Sequence, residues 1–291
     1  SAGVACGRIG VYASGEQRKD GIRKQTTVRY AKAYRDIAEG SILIGWNEAS
    51  CQLAEGVRAG YTTRFGGAST GAYSSANMAT HVGDTEADVR ENRRQLHQIT
   101  GLDDIRFLTQ THGSRVARIG SPIDQFNNQC PLPVADAQWT DEIGIGLAIL
   151  SADCFPVVIA DPDGHGVGIA HCGWRGATSG ILESLVADMG CRSESLNVWL
   201  GPGICKRCYE VGPDVVERLD VRISKSVLEV VPKQQRWLLD LPRYLEMLLQ
   251  QLGVQRIFRS TNCTYQDQNL YSYRRDTVTG RVATLVWRET P

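Results

Sequence analysis

Ser151-Ala-Asp-Cys-Phe-Pro-Val-Val-Ile-Ala-Asp-Pro-Asp-Gly-His-Gly-Val-Gly-Ile-Ala-His-Cys-Gly-Trp-Arg-Gly176 reads as two strands joined by a polar turn. Residues 155–160 and 167–170 are apolar and rich in Val and Ile. The Asp161-Pro-Asp-Gly-His-Gly166 segment between them supplies turn residues. A turn centred near Asp163 or Gly164 puts Cys154 and His171 nearly equidistant from it. A hairpin then brings their Cβ atoms to about 5 to 8 Å. A thiol and an imidazole would face one space at the open end of the hairpin.

Outward from this stretch, residues 144–150 read as a further buried strand, and residues 177–189 as a helix with Ile181, Leu182, Leu185, Val186 and Met189 inward. Thr178 or Ser179 can cap that helix, which leaves Arg175 just ahead of a helix N-terminus, a place suited to an anion. Residues 196–200 and 256–258 read as strands and residues 238–252 as a strongly apolar helix. Residues 271–286 read as a closing hairpin. On the N-terminal side, residues 85–99 form an amphipathic helix pattern with Val89, Leu96 and Ile99 inward. Residues 107–116 read as a strand ending at a His112-Gly turn, where His112 either lines a site or merely occupies the turn. Residues 122–133, with Cys130, read as a loop without chemistry. Residues 61–71 join a short strand to a Gly/Ser/Thr-rich loop carrying Arg64, a setting in which backbone N–H groups can approach an anion. The spacing there matches no P-loop. Residues 28–38 fit helix or strand equally. Residues 1–45 look like an extension to a single working domain over 46–291.

This irregular alternation makes the fold class mixed α/β (α+β), without repeats or a regular barrel. The 291 residues can bury a large core, and 32 basic against 32 acidic side chains give no general attraction to nucleic acid or anionic membrane. A small neutral or modestly anionic ligand is the better default. No apolar run nears the roughly 20 residues of a membrane span, and no signal peptide is evident. Cytoplasmic residence is expected; the oligomeric state is open. Nine scattered cysteines, an odd number, favour reduced thiols over a disulfide framework.

Zinc takes thiolate and imidazole ligands, and catalytic sites keep three protein ligands with one position open. Cys154 and His171 supply two, and His81, in a Gly-flanked turn before a helix, is the choice for the third. The opposing reading is a buried cysteine beside a hydrogen-bonded histidine. Cys154 with a histidine also fits a thiol nucleophile and its base, with Asp153 or Asp136 as orienter. Cys205-Lys-Arg-Cys208 has metal-type spacing, but no second pair follows it. No histidine has Glu two residues on, which excludes the cytidine-deaminase signature.

Thr62-Thr-Arg-Phe-Gly-Gly, His81-Val-Gly-Asp, Gln110-Thr-His-Gly, Ala152-Asp-Cys-Phe-Pro-Val, His171-Cys-Gly-Trp-Arg-Gly, Gly201-Pro-Gly-Ile, Cys208-Tyr-Glu-Val-Gly and Ser272-Tyr-Arg-Arg-Asp resemble, in order, the motifs of the YfiH family. That family is also called the laccase-domain or polyphenol oxidase family and is described as purine nucleoside phosphorylase. The resemblance runs from about Trp46 to Trp287. Ser151, Cys172 and Thr111 depart from the family's usual Thr, Ala and Val, and Cys172 would place a second thiol beside the site.

The resemblance implies a layered sandwich of mixed sheets flanked by helices, and a metal site of zinc, with copper as the alternative, at His81, Cys154 and His171. It further implies phosphorolysis of adenosine, inosine, guanosine or methylthioadenosine, and deamination of adenosine. The substrates would be a purine nucleoside and phosphate. Arg64 and Arg175 are the candidate phosphate contacts, and Asp153, beside the thiolate, could orient a ligand or move a proton. The alternatives are a copper-dependent polyphenol oxidase, a thiol hydrolase using Cys154 and a histidine, and a non-enzymatic binding module stabilised by metal. A multicopper oxidase needs on the order of ten imidazoles, and this chain has five histidines.

Overall fold

The computed structural model describes residues 43–120, 132–232 and 234–290. The expected extension over 1–45, apart from its last three residues, the undecided segment 28–38 and most of the loop 122–133 lie outside the described residues. Ile42–Pro291 form one compact unit.

In chain order the strands are β1 (Trp46–Glu48), β2 (Val57–Thr62), β3 (Asp104–Arg106), β4 (Val116–Arg118), β5 (Ala137–Thr140), β6 (Ile145–Ser151), β7 (Phe155–Ala160), β8 (Val167–Cys172), β9 (Asn197–Leu200), β10 (Glu210–Val211), β11 (Leu228–Val231), β12 (Arg236–Leu239), β13 (Arg256–Arg259) and β14 (Val282–Arg288). The helices are α1 (Glu86–Thr100), α2 (Trp174–Thr178), α3 (Ile181–Met189), α4 (Pro213–Val216), α5 (Val221–Val227), α6 (Leu241–Gln251) and α7 (Tyr273–Asp276). Two mixed sheets, ordered β1-β2-β14-β6-β3 and β13-β9-β7-β8-β5-β4, carry the architecture, and β10-β12-β11 form a small antiparallel sheet.

Period-two alternation explains how these strands can be apolar throughout. In β7, Val158 and Ala160 join Ile149, Leu147 and Val282 between the two large sheets, while Phe155, Val157 and Ile159 face a core shared with α3 and α6. In β14, Val282 and Val286 point between the sheets, whereas Ala283, Leu285 and Trp287 pack with Leu96 of α1. The result is helix, sheet, sheet, helix: the layered sandwich of mixed sheets expected for this fold class.

The central hairpin forms as the sequence predicts. Phe155 pairs with Cys172, Pro156 with His171 and Ala160 with Val167, so Cys154 lies one step beyond the last pair. Slipping this register by one residue would exchange both core faces. Each misplaced Val or Ile would forfeit roughly 1.5–3 kcal/mol of burial, which makes the placement of Cys154 against His171 well determined.

Three expected elements differ. The strand expected over 107–116 does not form: apart from an isolated bridge between Thr109 and Val134, residues 107–115 lie outside any strand, and β4 starts only at Val116, because the 111–113 amides bond the Asp136 carboxylate instead of a neighbouring strand. The helix expected over 177–189 is two helices, broken where Gly180 adopts φ +83° between α2 and α3. Arg175 therefore stands inside the first turn of α2 rather than ahead of a helix. The closing hairpin over 271–286 is instead the single turn α7, capped by Ser272 Oγ accepting from Arg275 N, followed by one long strand between β2 and β6.

Candidate active site

Asp136, fully buried just before β5, organises the open end of the hairpin. Its carboxylate accepts hydrogen bonds from the backbone N–H groups of Thr111 at 2.9 Å, His112 at 2.9 Å and Gly113 at 2.8 Å, and from Thr111 Oγ1 at 3.0 Å. It also lies 3.0 Å from His171 Nδ1, while His171 N donates to Asp136 O at 2.7 Å. One carboxylate thus orients the His171 ring and holds the turn that carries His112. His112 is in the left-handed region, at φ +62°. Such a residue costs about 1–3 kcal/mol, and the three amide donors to Asp136 hold it there.

His112, Cys154 and His171 converge so that their ligand atoms all lie within 4.8 Å of one another. The two imidazoles meet edge to face with centroids 4.7 Å apart. A Cβ added at Gly173 would fall 2.7 Å from Cys154 Sγ and 3.5 Å from His112 Cδ2, so only glycine leaves room beside the sulfur. Two imidazoles, one thiolate and free space beside them are the donor set and opening that suit a catalytic zinc ion. With Nδ1 directed at Asp136, His171 turns Nε2 toward that space, as outer carboxylates do for metal-bound histidines.

Charge supports the same arrangement. Burial alone would raise the Cys154 thiol, but the charge and hydrogen bonds of His171 and His112 outweigh it and hold the thiol well below its ordinary value. Burial likewise opposes charge on His171, yet the Cys154 thiolate and Asp136 carboxylate raise it. Burial would raise Asp136 as well, but His171 and the amides of Gly113 and Thr111 keep its carboxyl far below the usual range. Each group thus favours the charged form of the other, thiolate on Cys154 and imidazolium on His171.

The third corner of this triplet is His112, not His81. His81 is exposed in the loop before α1 and stands outside the group, although near enough for His112 and His171 to affect its titration. Desolvation first, then the Arg281 and Arg93 cations, lower its pKa and keep the ring neutral at pH 7. Both histidines sit in Gly-flanked turns, so local sequence did not separate them. The distinguishing signal is Asp136, whose carboxylate needs the 111–113 amides.

Asp153, at φ +96°, has its carboxylate engaged: Oδ1 accepts from Thr264 Oγ1 and Ser272 Oγ, each at 2.7 Å, and Oδ2 from Arg274 N at 2.6 Å. Its bonds pin the turn bearing Cys154 to the segment before β14. Arg64 donates Nε to Ser74 O at 3.0 Å, lies 4.0 Å from Asp276 and covers the Tyr271 ring. Arg175 is exposed and lies over Trp174.

Arg281 was missed in the sequence. It is half-buried, donates Nη1 to the Thr279 and Gly280 carbonyls, and has no carboxylate salt bridge among the described residues. Burial lowers its pKa, while Cys154 and Asp153 pull it upward. Cys172, by contrast, points away: alternation along β8 places it in the core with Ala170 and Leu185, where burial raises its thiol well above the ordinary value. The expected second thiol beside the site is therefore absent from it.

A family model described as multi-copper polyphenol oxidoreductase laccase matches residues 58–289. The purine nucleoside phosphorylase YfiH of Escherichia coli is 35% identical over 236 residues, covering 80% of this chain and 94% of that protein. A purine nucleoside phosphorylase of Haemophilus influenzae is 34% identical over 249 residues, 84% of this chain and 97% of the other. Among solved structures, a Neisseria meningitidis protein matches with TM-score 0.78 at 33% identity, covering 84% of this chain and 100% of that one. YlmD from Geobacillus stearothermophilus matches with TM-score 0.76 at 30% identity over 86% of this chain and 100% of its own. No helix among the described residues is long and apolar enough to cross a membrane. With the family model matching residues 58–289 and these relatives 34–35% identical over most of both chains, the chain belongs to the multi-copper polyphenol oxidoreductase laccase family, that of the YfiH proteins.

Proposed function

We propose that this chain is a metal-dependent purine nucleoside phosphorylase, with zinc held by His112, Cys154 and His171. The observation that carries the reading is the convergence of those three side chains on one open space, oriented by Asp136. The names of the curated relatives supply the substrate class. A zinc ion bound there supplies Lewis-acid polarisation beside a purine nucleoside.

The remaining chemistry belongs to the chain's own groups. Phosphorolysis joins a phosphate oxygen to the ribose C1′ as the bond from C1′ to the purine N9 breaks, and the departing base takes a proton. The phosphate needs cations, and Arg281, with no carboxylate salt bridge among the described residues, is the leading contact, with the exposed Arg175 as the second candidate. Arg64, held by Ser74 and Asp276, serves better to position its glycine-rich loop. His81, neutral at pH 7, can accept or relay a proton. Asp153, with its oxygens occupied, positions Cys154. Adenosine deamination at the same site is the second activity we propose, resting on the resemblance and on the Lewis acidity the donor set would confer.

Four-copper oxidation does not suit this chain. Of the five histidines, His97 bonds the Leu102 carbonyl and His165 pairs with Asp161 at the far end of the hairpin. Incubating zinc-loaded protein with adenosine and inosine, with and without phosphate, tests the proposal. Free base plus ribose 1-phosphate, dependent on phosphate and lost in Cys154→Ala, is expected; no product under any of these conditions would sink it.

A further inference from the structure

Cys205 and Cys208 gain in the fold the partner that the sequence did not show. Cys263, 58 residues from Cys205, brings its sulfur to the pair, and the three Sγ atoms all lie within 4.8 Å of one another. Cys205 and Cys208 Sγ are 3.6 Å apart. The group is held by backbone rather than chance. Gly203 and Cys263 form a parallel bridge, Thr264 N donates to Gly203 O at 3.1 Å, and Cys205 N donates to Cys263 Sγ at 3.3 Å. The amides of Arg207 and Cys208 turn toward the Cys205 sulfur in a single 3-10 turn over Lys206–Cys208.

We propose that Cys205, Cys208 and Cys263 form a second metal site, a three-thiolate site for a soft monovalent cation, Cu+. The spacing suits three sulfurs around one ion. At the roughly 2.3 Å of a metal–thiolate bond, three sulfurs in a plane around the ion stand about 4.0 Å apart. The Cys205–Cys208 pair, at 3.6 Å, would need to part by about 0.4 Å, and no pair stands farther apart than 4.8 Å. A disulfide would use two of these sulfurs and leave the third without a role. The choice of ion follows from donor number. Structural zinc is almost always four-coordinate, and no fourth His, Asp, Glu or Cys joins this group among the described residues. Thiolate donors suit Cu+, Zn2+ and Fe–S clusters, and of the single ions Cu+ is the one that three sulfurs can satisfy without a fourth ligand. Cys205 and Cys208 are half-buried and Cys263 is buried, so the ion has an entry side and a sheltered one.

The site would also touch the catalytic centre through one residue. Ile204, next to Cys205, donates its N–H to Asp153 O at 2.9 Å, and Thr264, next to Cys263, donates Oγ1 to the Asp153 carboxylate. Metal at the three thiols would therefore stiffen the two segments that hold the Cys154 turn.

The test titrates Cu+ into the metal-free, fully reduced full-length chain without oxygen, against a chromophoric Cu+ chelator. It uses a Cys154→Ser background so that the His/Cys triplet does not contribute. One Cu+ per chain is expected, with three sulfurs by X-ray absorption. Cys263→Ser, and separately Cys205→Ser, should weaken it by at least about a hundredfold, more than loss of an outer-shell partner gives. Cys51→Ser should not change it, and circular dichroism of each variant separates loss of ligand from loss of fold. Absence of binding in the Cys154→Ser background, affinity unchanged by Cys263→Ser in a folded variant, or tighter binding of Zn2+ than of Cu+ would each overturn the proposal. None of these results depends on nucleoside turnover.

Discussion

Two three-residue clusters lie on either side of Asp153, and they differ in what holds them. The His112/Cys154/His171 cluster is anchored by strand ends and one buried carboxylate. Its members come from a hairpin buried on both faces and from a turn bonded to Asp136. The Cys205/Cys208/Cys263 cluster is assembled from a 3-10 turn and a loop, tied by backbone amides and one bridge. The first mixes nitrogen with sulfur and leaves space beside the thiol; the second is sulfur alone. Rigid elements with an opening suit chemistry on a substrate, whereas a sulfur cradle in loops suits retention of an ion.

The largest expected effect breaks the first cluster. Cys154→Ala should reduce phosphorolysis to background and remove one bound zinc, measured by product chromatography and elemental analysis of the same sample. Turnover persisting in that variant would remove the cluster from catalysis. Next is Asp136→Asn, which keeps size but loses the charge that orients His171. Zinc affinity or turnover should fall about 10–100-fold.

The same carboxyl makes a pH prediction with a definite sign. Its folded pKa is depressed, so its contribution to stability is present above the unfolded value of about 3.9 and is lost as pH falls toward the folded one. Melting temperature should drop on acidification below about pH 4 in the parent protein, and this part of the drop should vanish in Asp136→Asn.

Arg281→Gln should raise the KM for phosphate about tenfold, the scale of one charge-assisted hydrogen bond, with kcat little changed. A kcat loss instead would place Arg281 at the reacting atoms. The smallest effect sharpens the contrast between thiols. In metal-free protein, alkylation of Cys154 should be half-maximal near pH 6, where His171 and His112 hold its thiol against the effect of burial. An ordinary cysteine shows this near pH 8.5. Cys172, one strand position beyond His171, should stay unmodified throughout, as peptide mass spectrometry would read.

Much of this was legible in the chain. The turn residues of 161–166 and the flanking apolar runs specify the hairpin register, and that register alone places Cys154 near His171. The α1 stripe was equally plain, because a 3.6-residue period needs no partner to be recognised. The closing segment misled because a one-turn helix has no period to detect and is defined by a cap, Ser272 on Arg275 N.

By itself, then, the sequence determined what depends on near neighbours: strands, the long helices, the turn, and two of the three convergent side chains. Its family resemblance set the expected substrate. Tertiary structure decided what depends on segments far apart in the chain. It chose His112 over His81 because β4 beside β5 lays the 111–113 amides over Asp136, and it turned Cys172 into a core. It added Cys263 to a pair that local spacing left incomplete. Backbone geometry acts over a few residues and can be read locally, whereas convergence of ligands requires knowing which distant strands are neighbours.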